Sequence, residues 1–435
     1  MALCAVGPAQ TFADLYSFTS ANSSQRPAAS LAQGRNGKLY GTTVGDLTYG
    51  SVFSITSRGS FAELYAFDYT NGENPTAGLT LATDGNFYGA ALGGGSAKVG
   101  TLFKVSPSGV ITSLHSFSGG GDGAYPLSAP VIASGAVFGT TAGNLGATVY
   151  KYTQSGAFNT IYQFDITTEI TAPLIQGSDG LLYGTAYTGG TSNCGSVFSL
   201  TTAGKLVTTY SFPCGAGGSS PYGPLFQASD GSFYGTTEQG GASGNGTVFK
   251  MTQAGQVSIL YSFKGGSDGA TPDAGLVQAT DGMLYGAAIF GGASNFGTLY
   301  QISTAGIYKS IYTFTGAKGQ YPAALIQHTN GKLYGTANEG GANGLGAVYS
   351  LDVGLKPFLT FVLPTAKIGG TAQMLGQGFT GATSVTFNGV PATTFKVVAG
   401  TYLTATVPTG ATTGPVVVTT PTQTLTSNVN FRVTK

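Results

Sequence analysis

Charge is what this sequence has least of. Of 435 residues, 18 are Lys or Arg and 17 are Asp or Glu, which is 8 % of the chain and a net charge of +1. A balance this weak excludes a nucleic-acid partner, because phosphate neutralisation needs clustered Lys and Arg. Tryptophan is absent, histidine occurs twice and cysteine three times. The His/Cys clusters that hold most metals are therefore lacking, and no metal site is expected. No run of 18 apolar residues occurs, so no segment is expected to span a membrane. No P-loop or dinucleotide fingerprint is present either. The Gly-Gly pairs lead into strand-like segments rather than helices, and no cofactor is expected.

What the chain has in quantity is glycine, 71 residues, together with 24 Tyr and 26 Phe. High Gly and aromatic content with little charge points to strands joined by tight turns. These residues recur with a period. Tyr-Gly falls at Tyr40, Tyr88, Tyr183, Tyr234, Tyr285 and Tyr334, and Phe138-Gly139 fills the gap, at spacings of 48, 50, 45, 51, 51 and 49. Three further markers keep step. Segments like L/I-Y-x-F end at Phe18, Phe67, Phe117, Phe164, Phe212, Phe263 and Phe314. A proline opens each unit at Pro27, Pro75, Pro126, Pro173, Pro221, Pro272 and Pro322. Gly-x-[VL]-[FY] begins at Gly50, Gly100, Gly195, Gly246, Gly297 and Gly346.

Each unit reads as four antiparallel strands, with Asp-Gly or Asn-Gly favouring the first hairpin turn. Such a meander has two apolar faces and needs neighbours to bury them. Seven copies arranged radially form a β-propeller. Thr11–Phe18 is a fourth strand without its preceding three, and the unit from Pro322 to Val353 has three strands and no fourth. The leading segment is therefore expected to complete the last blade. The expected blades are 27–67, 75–117, 126–164, 173–212, 221–263, 272–314 and 322–353 plus 11–18. The LYG-T, Gly-Gly, G-x-VF and LYSF elements resemble the GloVer tandem-repeat family of bacterial secreted proteins over residues 11 to 353. Units one and three depart from that pattern in lacking the Gly-Gly loop.

Beyond Val353 the period stops. Residues 356–435 alternate strands with Gly, Pro and Asn turns, as a small β-sandwich would. The run Gly376–Ala392 and the T-A-T-V-P segment near Pro408 resemble the IPT/TIG class of immunoglobulin-like domains, which implies a spacer, an adhesive module or a domain beside enzymes. The fold class expected is thus all-β, a seven-bladed propeller closed by an N-terminal strand and followed by an immunoglobulin-like sandwich.

Cys194 and Cys214 flank the hairpin that turns at Ala203-Gly204. Residues paired across it should sum to about 408, which the two cysteines do, so a disulfide is expected in an oxidising compartment. Cys4 has no evident partner. Residues 1–10 (MALCAVGPAQ) read as the tail of a secretory signal, and the protein is expected to be secreted or at the cell surface, as a monomer.

Candidate chemistry is sparse. His115 stands in a tyrosine slot and reads as a packing substitution. His328 reads as a solvated edge residue beside a turn. No Ser-His-Asp triad has support from these two. Strand alternation puts the Asp-Gly turns on one face and the Gly-Gly loops and unit-to-unit connections on the other. The second face carries the longer, more varied loops, where function is usually held. Candidate ligand-binding residues there are Tyr125, Tyr187, Tyr222, Phe290 and Tyr321, whose rings can stack on sugars or anchor a partner. Glu238 and Glu339 stand in like positions before Gly240-Gly241 and Gly340-Gly341. Asp122, Asp268 and Asp273 in Gly-rich loops offer oxygens to calcium, without an EF-hand spacing to support it. No catalytic residue is assigned. The reading is a non-enzymatic extracellular binding, adhesion or scaffold protein for a glycan or a protein. A carbohydrate-active hydrolase or lyase using loop carboxylates is the alternative.

Overall fold

The computed structural model describes residues 10–20, 24–45, 48–143 and 145–434. The chain is all-β, with seven sheets of one plan between Thr11 and Asp352. In the sixth unit, for example, Val277–Gln278, Leu284–Ala288, Thr298–Ile302 and Tyr308–Thr313 pair antiparallel in chain order. The seventh sheet is built from Ile326–Gln327, Leu333–Glu339 and Ala347–Asp352, plus a strand from the other end of the chain. Thr11–Ser17 pairs antiparallel with Ala347–Asp352, from Thr11↔Asp352 to Ser17↔Ala347. Gln320–Pro322 adds a short strand to the end of Leu333–Glu339. Residues 1–9, the expected signal tail with Cys4, lie outside the described residues.

The repeat markers have steric causes. The glycine of Tyr-Gly pairs in register with an aromatic residue of the third strand, as Gly286 does with Tyr300. A Cβ at Gly286 would stand 2.5 Å from Tyr300 Cζ, so the ring can cross the second strand only over glycine. The glycine of Gly-x-[VL]-[FY] makes room for the proline that opens the next unit. A Cβ at Gly246 would meet Pro272 Cδ at 2.5 Å, and one at Gly346 would meet Pro27 Cδ at 2.6 Å. The last pair joins the seventh unit to the first. The turn Asp holds the Tyr of Tyr-Gly: Tyr234 donates to Asp230 at 2.8 Å and Tyr285 to Asp281 at 2.8 Å. These acids are structural turn residues.

The unit-to-unit contacts repeat as well. Where a threonine stands two after the Tyr of Tyr-Gly, it donates to the segment that opens the next unit: Thr42 to Ala77 O at 2.8 Å, Thr236 to Ala274 O at 3.2 Å, Thr336 to Ala29 O at 2.9 Å. Glutamines of the inner strands cap the turn of the preceding unit. Gln278 accepts from Ser229 N and Gln327 from Thr280 N, and Gln33 of the first unit accepts from Thr329 N of the seventh. Tyr16 and Phe61 stack at 4.1 Å across that same seam.

One opening proline is misplaced in the sequence reading. In the fourth unit Tyr187 N donates to Glu169 O, as Glu238 N donates to Ser220 O just before Pro221. The opening position is therefore Ile170, fully buried. Pro173 stands three residues later, at the place of Pro224. His328 is also corrected: it is 1 % exposed. Its Nδ1 accepts from Asn330 N–H, which leaves Nε2–H to donate to Gly37 O at 3.0 Å across the seam. Burial pushes its pKa below the ordinary value. His115 packs as expected, stacked on Phe158 at 3.7 Å, with Nε2 3.0 Å from Asp122.

The disulfide joins Cys194 and Cys214 with Cα atoms 5.5 Å apart. Ser196 pairs with Ser211, so paired residues sum to 407 rather than 408. Cys214 reaches its partner from beyond the strand end, with φ +67°.

The chain from Thr360 onward forms two four-stranded antiparallel sheets and a parallel pair, Thr365–Lys367 with Arg432–Thr434. Leu359, Met374, Phe379, Val385, Phe387, Leu403, Val416, Val418, Leu425 and Phe431 fill the space between them. This segment rests on the Asp-Gly turn side of the repeats. The Arg35 guanidinium donates to Gln373 at 2.7 Å and lies 4.7 Å from the centre of the Tyr402 ring. Thr401 donates to Arg35 O, Gln377 to Thr329, and Arg432 to Ser178 O.

Candidate functional site

With the turn side occupied, the Gly-Gly loops and unit-to-unit connections form the open side. Three repeat positions border its inner rim. The first is the residue before the opening proline slot, and the second is the residue after it. The third is the residue four beyond the Tyr or Phe of the Tyr-Gly step, whose N–H bonds the carbonyl of the first position. In the second position stand Ala28, Thr76, Leu127, Thr171, Tyr222, Asp273 and Ala323. In the third stand Val44, Leu92, Ala142, Tyr187, Glu238, Ile289 and Asn338. These two positions are apolar or small in most units and become acidic or phenolic only across units four to six. The first position holds phenols as well, Tyr125 and Tyr321, in units three and seven. Across units four to six fall Glu169, Tyr187, Tyr222, Glu238 and Asp273.

The structure brings these five together. Tyr187 and Tyr222 meet edge to face, with centroids 5.8 Å apart at 87°. Tyr222 is 41 % exposed, and Thr171 donates to its carbonyl at 3.1 Å. Burial raises the Tyr187 pKa, and the neighbouring Glu238 carboxylate adds to the rise. Burial likewise raises Tyr222, and the charges acting on it are Asp273, Glu238 and Glu169. Burial, then the negative charge of Glu238, pushes the Asp273 carboxyl up to about 7. Like charges drawn together at a half-buried rim disfavour simultaneous ionisation. A carboxyl poised near neutrality beside Glu238 can hold or release a proton, and can accept hydrogen bonds from hydroxyl or amine groups.

Of the other sequence candidates, Tyr125 and Tyr321 hold the first rim position of units three and seven. Phe290 and Tyr321 form a second edge-to-face pair, at 5.5 Å and 73°, with Phe290 37 % exposed. Tyr125 sits at the connection into the third unit, bonded through N–H to Val99 O. Glu339 is not the counterpart of Glu238. It pairs with Gln320 as Gln239 pairs with Ser219, so it stands one residue out of step. On a strand that sends the side chain to the opposite face, and Glu339 meets Arg26 at 3.5 Å instead. The three calcium candidates are also separated. Asp122 accepts from Ser118 N and Asp268 from Lys264 N, each closing its own loop. Only Asp273 faces the rim. Among the described residues no three His, Cys, Asp or Glu side chains are placed to hold a metal ion. Glu169 was missed in the sequence, because its unit was aligned on Pro173.

Two clefts open on the turn side, of about 330 Å³ against Leu363 and about 540 Å³ against Leu355–Phe358. The smaller contains Asp84, whose carboxyl is held below its ordinary pKa. Burial opposes that shift, and bonds from Asn86 and Tyr88 with the charge of Lys104 outweigh it.

Residues 2–148, 142–280 and 230–374 match the profile described as the Gloeobacter/Verrucomicrobia repeat. No curated protein matches the chain. Among solved structures, a candidate 6-phosphogluconolactonase from Bacteroides fragilis superposes with a TM-score of 0.52 at 16 % identity, over 69 % of this chain and 88 % of its own. A second candidate 6-phosphogluconolactonase, from Bacteroides uniformis, gives 0.50 at 15 %, over 69 % and 89 %. At these identities the likeness extends to a propeller-like fold and no further.

Proposed function

The chain belongs to the Gloeobacter/Verrucomicrobia repeat family, and from that premise we propose that it is a secreted carbohydrate-binding protein acting through the loop face of a closed seven-bladed propeller. The propeller would comprise residues 11–353, with an IPT/TIG-like immunoglobulin domain at 356–435. Support for closure comes from the seam between the seventh and first units, which repeats the proline, threonine and glutamine contacts of the other seams. Support for a C-terminal sandwich comes from its two sheets and separate core. The disulfide favours an oxidising compartment. Among the described residues no helix is long and apolar enough to cross a membrane.

The observation that carries the binding reading is the asymmetry of the inner rim. At the second and third of those positions, a scaffold of near-identical units places phenol rings and carboxylates in one sector only. Sugar recognition uses this pairing: apolar ring faces against C–H surfaces, and carboxylates accepting hydroxyl hydrogens. The test is a glycan array with the purified protein and Tyr222→Ala. Specific glycans bound by the native chain and lost in the variant support the reading. No glycan above background overturns it.

A hydrolase or lyase is the second reading, favoured by one observation, the Asp273 carboxyl held near neutrality beside Glu238. Such a pair suits an acid and a base in glycosidic cleavage. Product release from bound glycans, abolished in Asp273→Asn and Glu238→Gln, would establish it. Intact glycans after prolonged incubation would exclude it for those substrates.

A further inference from the structure

On the turn side a glutamine closes the seam between neighbouring units. Gln227, Gln278, Gln327 and Gln33 accept the N–H of Ser178, Ser229, Thr280 and Thr329 of the preceding unit, at 2.8, 2.9, 3.1 and 3.0 Å. In three of these seams the same amide also donates to the hydroxyl of that residue, Ser178, Thr280 and Thr329, at 3.1, 3.1 and 2.8 Å. One Ser or Thr thus presents both its N–H and its hydroxyl to a planar group with two heteroatoms. The seam between units two and three keeps this niche and lacks the glutamine. Ile132 stands opposite Val137 as Gln278 stands opposite Leu284, so isoleucine holds the glutamine position. Thr83 supplies the N–H and the hydroxyl, and among the described residues neither has a partner. The turn of unit three is also tighter, with four residues between the paired positions instead of five. A cleft of about 330 Å³ opens there, lined by Thr83, Tyr88, Leu114, Ile132, Gly135 and Tyr152. Leu81 likewise replaces the glutamine between units one and two, but that seam is filled, since Leu81 shares a core with Leu375 and Tyr402 of the C-terminal segment.

A second departure from the repeat leaves a cation in the same cleft, which Lys104 also lines. Lys104 stands opposite Tyr88 as Lys250 stands opposite Tyr234. Lys250 pairs with Asp230 at 2.9 Å, whereas the matching oxygen of Asp84 takes the Asn86 side-chain amide at 2.8 Å. The other Asp84 oxygen holds the Asn86 N–H at 3.0 Å. Among the described residues Lys104 makes no ion pair, and it acts on Asp84 only through its charge. We propose that this cleft is a binding site for the carboxylate of a small, ring-sized organic acid. The carboxylate stands where the glutamine amide stands in the sister seams. Its oxygens accept the Thr83 N–H and hydroxyl, and Lys104 supplies the countercharge from the wall of the cleft. An amide can fill the same niche but gains nothing from the lysine, so the lysine selects the acid. The cleft has roughly twice the volume of a cavity of about 150 Å³ that admits benzene, which leaves room for one ring and its carboxylate. Tyr88, Leu114 and Tyr152 wall that ring.

The cleft lies on the side opposite the loop rim, so the assignment stands independently of the loop-face reading. The experiment is a ligand-observed NMR titration of the intact, disulfide-bonded chain at neutral pH with two acids and their amides. These are glucuronate with glucuronamide, for a hydroxylated body, and benzoate with benzamide, for an apolar one. The expected result is that at least one acid binds about tenfold tighter than its amide. Ile132→Gln places the missing amide in the niche and should weaken binding of that acid by about tenfold, with an unfolding midpoint no lower than that of the native protein. Lys104→Gln, which leaves the niche intact, should bring acid and amide to equal affinity. Tyr222→Ala, on the loop rim, should leave the affinity for the acid unchanged. No binding of either acid, amides bound as tightly as their acids, or undiminished acid binding in a folded Ile132→Gln protein overturns the proposal. Glycans bound on an array and lost in Tyr222→Ala would still support the loop-face reading after such a result.

Discussion

Asp273 offers the sharpest quantitative test. Its carboxyl moves from 3.8 to about 7 on folding, through burial first and Glu238 second. At about 1.36 kcal/mol per tenfold change in proton affinity, that shift is worth at most about 4 kcal/mol. The side chain keeps partial access to water, so a figure on the order of 2 kcal/mol is the working expectation. The sign follows from linkage. Between about pH 4 and 7 the folded protein keeps a proton that the unfolded chain has lost, so raising the pH through that window removes stability. Below pH 4 both states are protonated and the cost vanishes. Above 7 it is paid in full. Asp273→Asn cannot ionise and should escape the cost. Its stability relative to the native protein should therefore be unchanged near pH 4, rise through pH 5 to 7, and level off near 2 kcal/mol above pH 8. The assay is denaturant unfolding of both proteins from pH 4 to 9 with the disulfide intact, followed by tyrosine fluorescence. Glu238→Gln should lower the midpoint of the Asp273 titration without returning it to 3.8, since burial is the larger cause. Parallel stability curves for native and Asp273→Asn protein across the range would refute the reasoning, because they would mean a hydrated, ordinary carboxylate.

Other perturbations probe the scaffold. Gly246→Ala should cost roughly 2–3 kcal/mol by thermal unfolding, since its Cβ would meet Pro272 at 2.5 Å and φ is already +94°. Reducing the Cys194–Cys214 bridge, or replacing both with serine, should lower stability by about 3 kcal/mol for a loop of this length. His328→Gln should flatten the acid side of the stability profile. The buried imidazole has a lowered pKa, so native stability is full above pH 6.5 and falls as the pH drops through that value, where the unfolded chain takes up the proton first. Deleting residues 1–18 should expose the edge strand Ala347–Asp352 and produce association detectable by light scattering.

What could be read from the sequence was whatever repeated. Tyr-Gly, six of the seven opening prolines and Gly-x-[VL]-[FY] marked strands and turns correctly, although their reason was visible only in three dimensions, where each glycine admits a ring from another strand or unit. The errors arose where one unit departs from the others by a residue or more. Ile170 replaces the opening proline of the fourth unit, so Pro173 drew the alignment three residues out of step and hid Glu169. Glu339 precedes its Gly-Gly pair by one residue and Glu238 by two, a difference of little note in a loop and a reversal of direction on a strand. Asp273 was grouped with Asp122 and Asp268 by composition, whereas position separates it: they close loops and it borders the rim. The signal that would have found the site was nonetheless present. Once the seven units are aligned by their hydrogen-bonded positions, two columns read small or apolar in most units and phenolic or acidic in units four to six. In a scaffold whose packing demands are nearly identical in every unit, a departure that packing does not require is the trace that function leaves, and it needs only one sequence to be seen.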